Sequence, residues 1–151
     1  IDNAANLTVN RCTLAGNAAS QWGGGIENSG GTLTVNQCTL TANSCATHGG
    51  AGIDRVGGTV TVNQSTLTGN STTATSGSGG VWGSMTLNNS IVAGNTAPTN
   101  ANIGGPVIAT GINLTNGVPL LAPLGNYGGP TPTMPPLPGF SRRSARSINC
   151  A

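Results

Sequence analysis

Charged residues make up 5% of this chain, so the few that recur in one register stand out. Glu27 follows Ile26, Asp54 follows Ile53 and Trp82 follows Val81. If the three β-branched residues point into a core, the residues after them point outward. Glu27, Asp54 and Trp82 are then expected to stack on one exposed face. Carboxylates on neighbouring strands would stand about 5 Å apart, near the carboxyl spacing of retaining glycosidases. Arg55 adjoins Asp54, His48 (the only histidine) lies six residues before Asp54, and Trp22 flanks the matching Gly-rich turn. Glu27, Asp54 and His48 are therefore candidate catalytic groups for polysaccharide hydrolysis, with His48 able to act as a base toward a hydroxyl nucleophile. Trp82, Trp22 and Arg55 are candidate sugar-binding residues, because a flat ring packs against a pyranose face. The plainer reading is a solvated strand face, its carboxylates compensated by Arg55 or by a cation such as Ca2+. Trp82 would then cover a hydrophobic edge, and His48 would be a surface residue. No Gly-x-Ser-x-Gly elbow supports an esterase, and no Cys-x-x-Cys spacing supports a zinc site.

The elements that must position these residues are set by a repeat. Leu7-Thr8-Val9-Asn10 returns as Leu33-Thr34-Val35-Asn36, Val60-Thr61-Val62-Asn63 and Met85-Thr86-Leu87-Asn88, at steps of 26, 27 and 25 residues. Cys12-Thr13-Leu14, Cys38-Thr39-Leu40, Ser65-Thr66-Leu67 and Ser90-Ile91-Val92 keep the same register, followed by Asn17, Asn43, Asn70 and Asn95. Apolar residues alternate at period two, Val, Ile and Thr favour strands, and Gly and Asn interrupt helices. The period predicts an all-β parallel solenoid of about four rungs of 25–27 residues, because one coil cannot bury its inward row alone. Leu7, Leu33, Val60 and Met85 should form one inward column, and Val9, Val35, Val62 and Leu87 another. Asn10, Asn36, Asn63 and Asn88 should form a corner ladder bonded rung to rung. Cys12 and Cys38 fall in one inward column continued by Ser65 and Ser90. Neighbouring Cα atoms at the strand spacing fall in the disulfide range, yet parallel Cβ vectors suit it poorly, so free thiols and a bridge are both open. Cys45 lies in a variable corner and Cys150 in the tail.

The Gly-Gly-Gly-Ile, Gly-Ala-Gly-Ile and Gly-Gly-Val elements at Gly23, Gly50 and Gly79 alternate with Leu14-Ala15-Gly16-Asn17, Leu40-Thr41-Ala42-Asn43 and Leu67-Thr68-Gly69-Asn70. These resemble the paired Gly-Gly-Ala-(Ile/Leu/Val) and Phe-x-x-Asn motifs of polymorphic outer-membrane proteins, with Leu replacing Phe. More broadly the chain resembles secreted or surface bacterial right-handed parallel β-helix repeat proteins, over about residues 1–105. That resemblance implies a right-handed, single-stranded β-helix, secreted or cell-surface placement, and a structural or adhesive role with polysaccharide or a cell surface as partner. Pectin-degrading β-helix enzymes carry denser Asp, Lys and Arg clusters than this chain does, which counts against a lyase or polygalacturonase.

Composition bounds the alternatives. Aromatic residues are 3% and Gly numbers 25, which suits a solenoid core one or two side chains wide better than a globule. A net charge of +2 is too small for a nucleic-acid surface, and no apolar run is long enough to span a membrane. No signal peptide is present, and the chain starts inside a repeat at Ile1-Asp2-Asn3-Ala4, as a fragment or processed product would. Rows such as Thr32-Leu33-Thr34, Thr39-Leu40-Thr41, Thr59-Val60-Thr61 and Thr66-Leu67-Thr68 resemble the flat faces of ice-binding proteins, a minor alternative. Sequons at Asn6, Asn63, Asn70, Asn88 and Asn113 arise from the repeat, and their ladder and corner positions argue against glycosylation. Open β-helix ends predict self-association, or further sequence upstream.

Residues 106–151 change character: a Pro/Gly-rich terminal segment, with a last imperfect rung at Ile112-Asn113-Leu114-Thr115 and a basic tail. Pro123-Leu124-Gly125-Asn126-Tyr127-Gly128-Gly129-Pro130-Thr131-Pro132-Thr133 resembles a terminal segment of secreted bacterial β-helix proteins, which usually ends Leu-x-Pro-Gly-Ser-Pro-Ala. Here Leu137-Pro138-Gly139 is followed by Phe140-Ser141-Arg142-Arg143. One inserted base would convert Gly-Ser-Pro-Ala-Ala into Gly-Phe-Ser-Arg-Arg, so residues from Phe140 onward are hypothesised to be out of frame. The coding DNA tests this: the idea fails if no single-base shift restores Ser-Pro-Ala. An ordinary basic tail is the alternative.

Overall fold

The structure is a computed structural model and describes residues 1–139. The frameshift hypothesis and Cys150 lie outside the described residues. Among the described residues, nineteen short strands and no helix build a parallel β-solenoid of about four turns. Each turn visits the same sheets in the same order. The first, here the acidic sheet, stacks Asp2–Asn3, Ile26–Asn28, Ile53–Arg55, Val81–Trp82 and Ile103–Gly104. The second, the Thr sheet, stacks Asn6–Asn10, Thr32–Asn36, Thr59–Asn63, Met85–Asn88 and Val107–Thr110. A third stacks Thr13–Ala15, Thr39–Thr41, Thr66–Thr68 and Ile91–Val92.

Pairing is parallel and in register, so sequence period becomes spatial column: Leu7 pairs with Leu33 and Leu33 with Val60, while Val9, Val35, Val62 and Leu87 line up beside them. Leu33, Val35, Ile26, Leu40, Ile53, Val62, Leu67, Val81, Leu87 and Val92 are fully buried. Val107–Thr110 carries the pairing past Met85–Asn88. The last rung thus begins at Ile103 and Val107, earlier than Ile112, and Leu114 joins it by bridging Ile91.

Corners need the left-handed backbone conformation, and the same position supplies it in each rung. One corner uses Arg11, Gln37, Gln64 and Asn89 at φ of 49° to 53°. The next uses Gly16, Gly69 and Gly94 at φ of 67° to 69°, but Ala42 at 54°. Most L-residues avoid that region, so Ala42 is held there by its rung neighbours.

Polar side chains at the corners bond rung to rung. Asn36 Nδ2 donates to Asn10 Oδ1 at 2.7 Å and Asn63 Nδ2 to Asn36 Oδ1 at 2.8 Å. Asn88 leaves that ladder and accepts instead from Asn89. A second, buried ladder runs through Asn17, Asn43, Asn70, Asn95 and Asn102. Cys12, Cys38 and Cys45 are free thiols. The Cys12 N–H points at Cys38 Sγ (3.4 Å), the Cys38 N–H donates to Ser65 Oγ (3.0 Å), and the Ser65 N–H to Ser90 Oγ (3.1 Å). The column is therefore a small polar ladder that caps one backbone N–H per rung.

The chain then doubles back. Antiparallel bridges Leu121–Pro136 and Gly125–Thr133 make a hairpin. It runs from the last rung to the first, where Thr13 Oγ1 donates to Pro132 O at 2.6 Å. It lies over the outer face of the third sheet and walls one side of a half-open cleft of about 440 Å³ lined by Gln64, Thr66, Ile91, Leu121 and Met134. Thr39, between Thr13 and Thr66, is buried, as are Thr41 and Thr68. This corrects the expectation that all Thr-x-Thr rows share an open face. The threonines in the rows of the Thr sheet are exposed or half-buried throughout, whereas in the third sheet's rows only Thr66 stays half-buried.

Candidate functional site

The acidic sheet places the expected residues in one column: Glu27 pairs with Asp54, and Asp54 with Trp82. Asp2 extends the column, pairing with Glu27. All three acidic residues of the sequence therefore stand on consecutive rungs of one line. Asp2 escaped the sequence reading, although Ile1-Asp2-Asn3 matches Ile26-Glu27-Asn28 residue for residue.

The column is not the exposed face expected from alternation. Asp2 is exposed and Glu27 half-buried, but Asp54 is 1% exposed. The cause is an excursion of the chain between Asn43 and Ile53. Ser44–Cys45 leads out, residues 46–48 turn, and Gly49–Gly50 returns flat against the acidic sheet. The Gly50 N–H donates to Asp54 Oδ1 at 3.1 Å. A Cβ on Gly49 would sit 2.6 Å from that oxygen, so only glycine permits the approach. Burial pushes the Asp54 carboxyl up to about 6; the Gly50 N–H works against this, and Glu27 adds to it. The two neighbouring carboxyl groups thus sit in unlike surroundings, Asp54 buried and Glu27 half-buried.

The remaining candidates disperse. His48 is exposed at the tip of the excursion, where its backbone N–H donates to Gln21 O (3.2 Å). Its ring faces Trp22 at 6.4 Å and 46°, and Gly49 and Gly50 intervene between it and the Asp54 carboxyl. Arg55 follows the strand alternation away from Asp54. It pairs in register with Asn28, and its Nε donates to Gly58 O at 2.8 Å. Compensation of Asp54 by Arg55 is thus corrected: a backbone carbonyl takes that guanidinium. Trp82 is half-buried, its ring laid over Gly104, where a Cβ would collide with it.

The chain matches no protein-family model, no curated protein and no solved structure. Among the described residues, no group of three or more His, Cys, Asp or Glu side chains is placed to hold a metal ion, and no helix is long and apolar enough to cross a membrane. Cys45 and Ser78 border the site and were not singled out for it. Cys45 is buried, with Sγ 3.1 Å from His48 O, and burial raises its thiol. Ser78 pairs with Gly50, and its Oγ is buried without a partner. Gly-rich spacing hinted at the excursion but not at what it would cover.

Proposed function

We propose that this chain is a structural and adhesive module of a secreted or cell-surface protein, presenting a repetitive β-solenoid surface. The observation that carries this reading is the burial of Asp54 beneath Gly49 and Gly50. A glycosidase pair needs both carboxyl groups against the sugar, and Asp54 has no face left for a polymer. In contrast, the polar groups that recur from rung to rung serve the scaffold.

The second reading, a carbohydrate-active β-helix, draws on the Asp54 carboxyl, raised to about 6 beside Glu27, with Trp22 and Trp82 as sugar platforms. A polysaccharide panel scored for binding and for reducing-end release separates the two. Release by the native chain that vanishes in Asp54→Asn overturns the adhesive reading, whereas binding without release supports it.

A further inference from the structure

The molecule covers one of its two Thr-bearing faces and leaves the other open. The C-terminal hairpin lies over the third sheet, bonded to Thr13, and Thr39 of that sheet is buried. Among the described residues none does the same for the Thr sheet, whose outward residues are all exposed or half-buried.

That open face is uncharged. Its rungs read Asn6-Leu7-Thr8-Val9-Asn10, Thr32-Leu33-Thr34-Val35-Asn36, Thr59-Val60-Thr61-Val62-Asn63, Ser84-Met85-Thr86-Leu87-Asn88 and Pro106-Val107-Ile108-Ala109-Thr110, without an acidic or basic residue. Two outward columns run without a break over four rungs: Thr8, Thr34, Thr61 and Thr86, beside Asn10, Asn36, Asn63 and Asn88. The outer column, Asn6, Thr32, Thr59 and Ser84, is mixed. The regularity is therefore along the solenoid axis rather than in two dimensions.

The groups are also held in place. Asn36 bonds Asn10, Asn63 bonds Asn36, and Thr59 Oγ1 donates to Thr32 Oγ1 at 3.3 Å. β-Branched Thr has few rotamers to lose. Ordering this surface against a partner thus costs little side-chain entropy.

We propose that the Thr sheet is the binding face of the module and that its partner is a neutral, hydroxyl-bearing linear polysaccharide lying along the rung axis. This deepens the adhesive reading above and rests on it. An uncharged face has no attraction for anionic polymers or lipid headgroups. Hydroxyl and carboxamide groups both donate and accept, as sugar hydroxyls do. At the parallel-strand spacing the four-rung column spans about 15 Å, a few sugar residues. A lattice such as ice would ask for regularity across the strands as well, which Asn6, Ser84 and Ile108 interrupt.

The test is depletion of the full chain from solution by microcrystalline cellulose and by crystalline chitin, with pectate as the anionic comparison. Thr61→Lys and Thr34→Lys place a charge mid-face, and Gln21→Lys places the same charge away from it, on the rung below the excursion, where Gln21 O accepts from the His48 N–H; circular dichroism melting confirms that each folds. The expected result is binding to a neutral polymer that falls at least about tenfold in both Thr variants and is unchanged in Gln21→Lys. Native binding that survives both Thr substitutions overturns the face while leaving the adhesive module standing. Binding to pectate alone overturns the partner class. No binding to any polymer overturns both readings, and thermal hysteresis without polymer binding assigns the face to ice instead.

Discussion

Asn70 holds Asn43 twice: its Oδ1 accepts from Asn43 Nδ2 at 2.9 Å and from the Asn43 backbone N–H at 3.0 Å. Asn70 Nδ2 in turn reaches Leu40 O at 3.0 Å and Asn95 Oδ1 at 2.9 Å. Asn43 and Asn70 are both fully buried. Asn70→Ala therefore strands two donors and a carbonyl in the interior, at a cost of about 3 kcal/mol or more. Asn17→Ala, at the exposed end of the same ladder, should cost under about 1 kcal/mol. Urea unfolding of both variants checks the difference, and equal losses would refute the ladder's weight.

Ala42 adopts φ 54° at a corner where Gly16, Gly69 and Gly94 occupy the equivalent place. It is exposed, so its methyl contributes no packing. Ala42→Gly should stabilise the chain by about 1 kcal/mol, since relief of left-handed strain exceeds the added freedom of the unfolded chain. A lower urea midpoint in the variant would contradict this.

Stability should fall as the solution becomes less acidic. Asp54 titrates in the folded chain at about 6, against an ordinary value of 3.8, so the folded state holds its proton more tightly than the unfolded state. The stabilisation from that proton is fully present below about pH 4 and lost as pH rises through about 6, about 3 kcal/mol in all. Asp54→Asn should remove this part of the pH dependence and be the more stable chain at pH 7.5. Denaturation of both chains at pH 4.5 and pH 7.5 provides the comparison.

Gly49→Ala should cost about 2 kcal/mol, because its Cβ would meet Asp54 Oδ1 at 2.6 Å from a backbone at φ 77°. In the Asp54→Ala background the steric part disappears and the strain part stays, so the two losses should not add. Additivity in a double-mutant cycle would show that Gly49 and Asp54 do not touch.

Thiol labelling should be ordered. Cys12 is half-buried, whereas Cys38 and Cys45 are buried and their thiols are raised by burial. In a Cys150→Ser background, Cys12 should react with a disulfide reagent well before the other two. Simultaneous reaction of all three would indicate that the rungs open together.

The rung register was legible in the sequence because in-register stacking maps each period onto a column, and Leu33, Val60 and Asp54 all stand where spacing put them. The burial of Asp54 was not legible. Alternation along Ile53–Arg55 correctly turns its side chain away from the core, but says nothing of the excursion that returns through Gly49–Gly50 to cover it. The hairpin after Leu120 was equally hidden, since it has no period and docks through single contacts such as Thr13 with Pro132. Asp2 is legible only through the three-residue match of Ile1-Asp2-Asn3 with Ile26-Glu27-Asn28, too short to mark a register by itself.

The small polar ladder of Cys12, Cys38, Ser65 and Ser90 asks each rung for one short side chain that bonds a carbonyl of its own rung and faces one N–H of its neighbour. Sulfur and oxygen both meet that demand. The junction between turns is thus a standard coupling, indifferent to which turn lies on either side. A whole period could be duplicated or excised at such a coupling and the cut ends would still fit, so molecules of this design can change length in evolution without altering their cross-section.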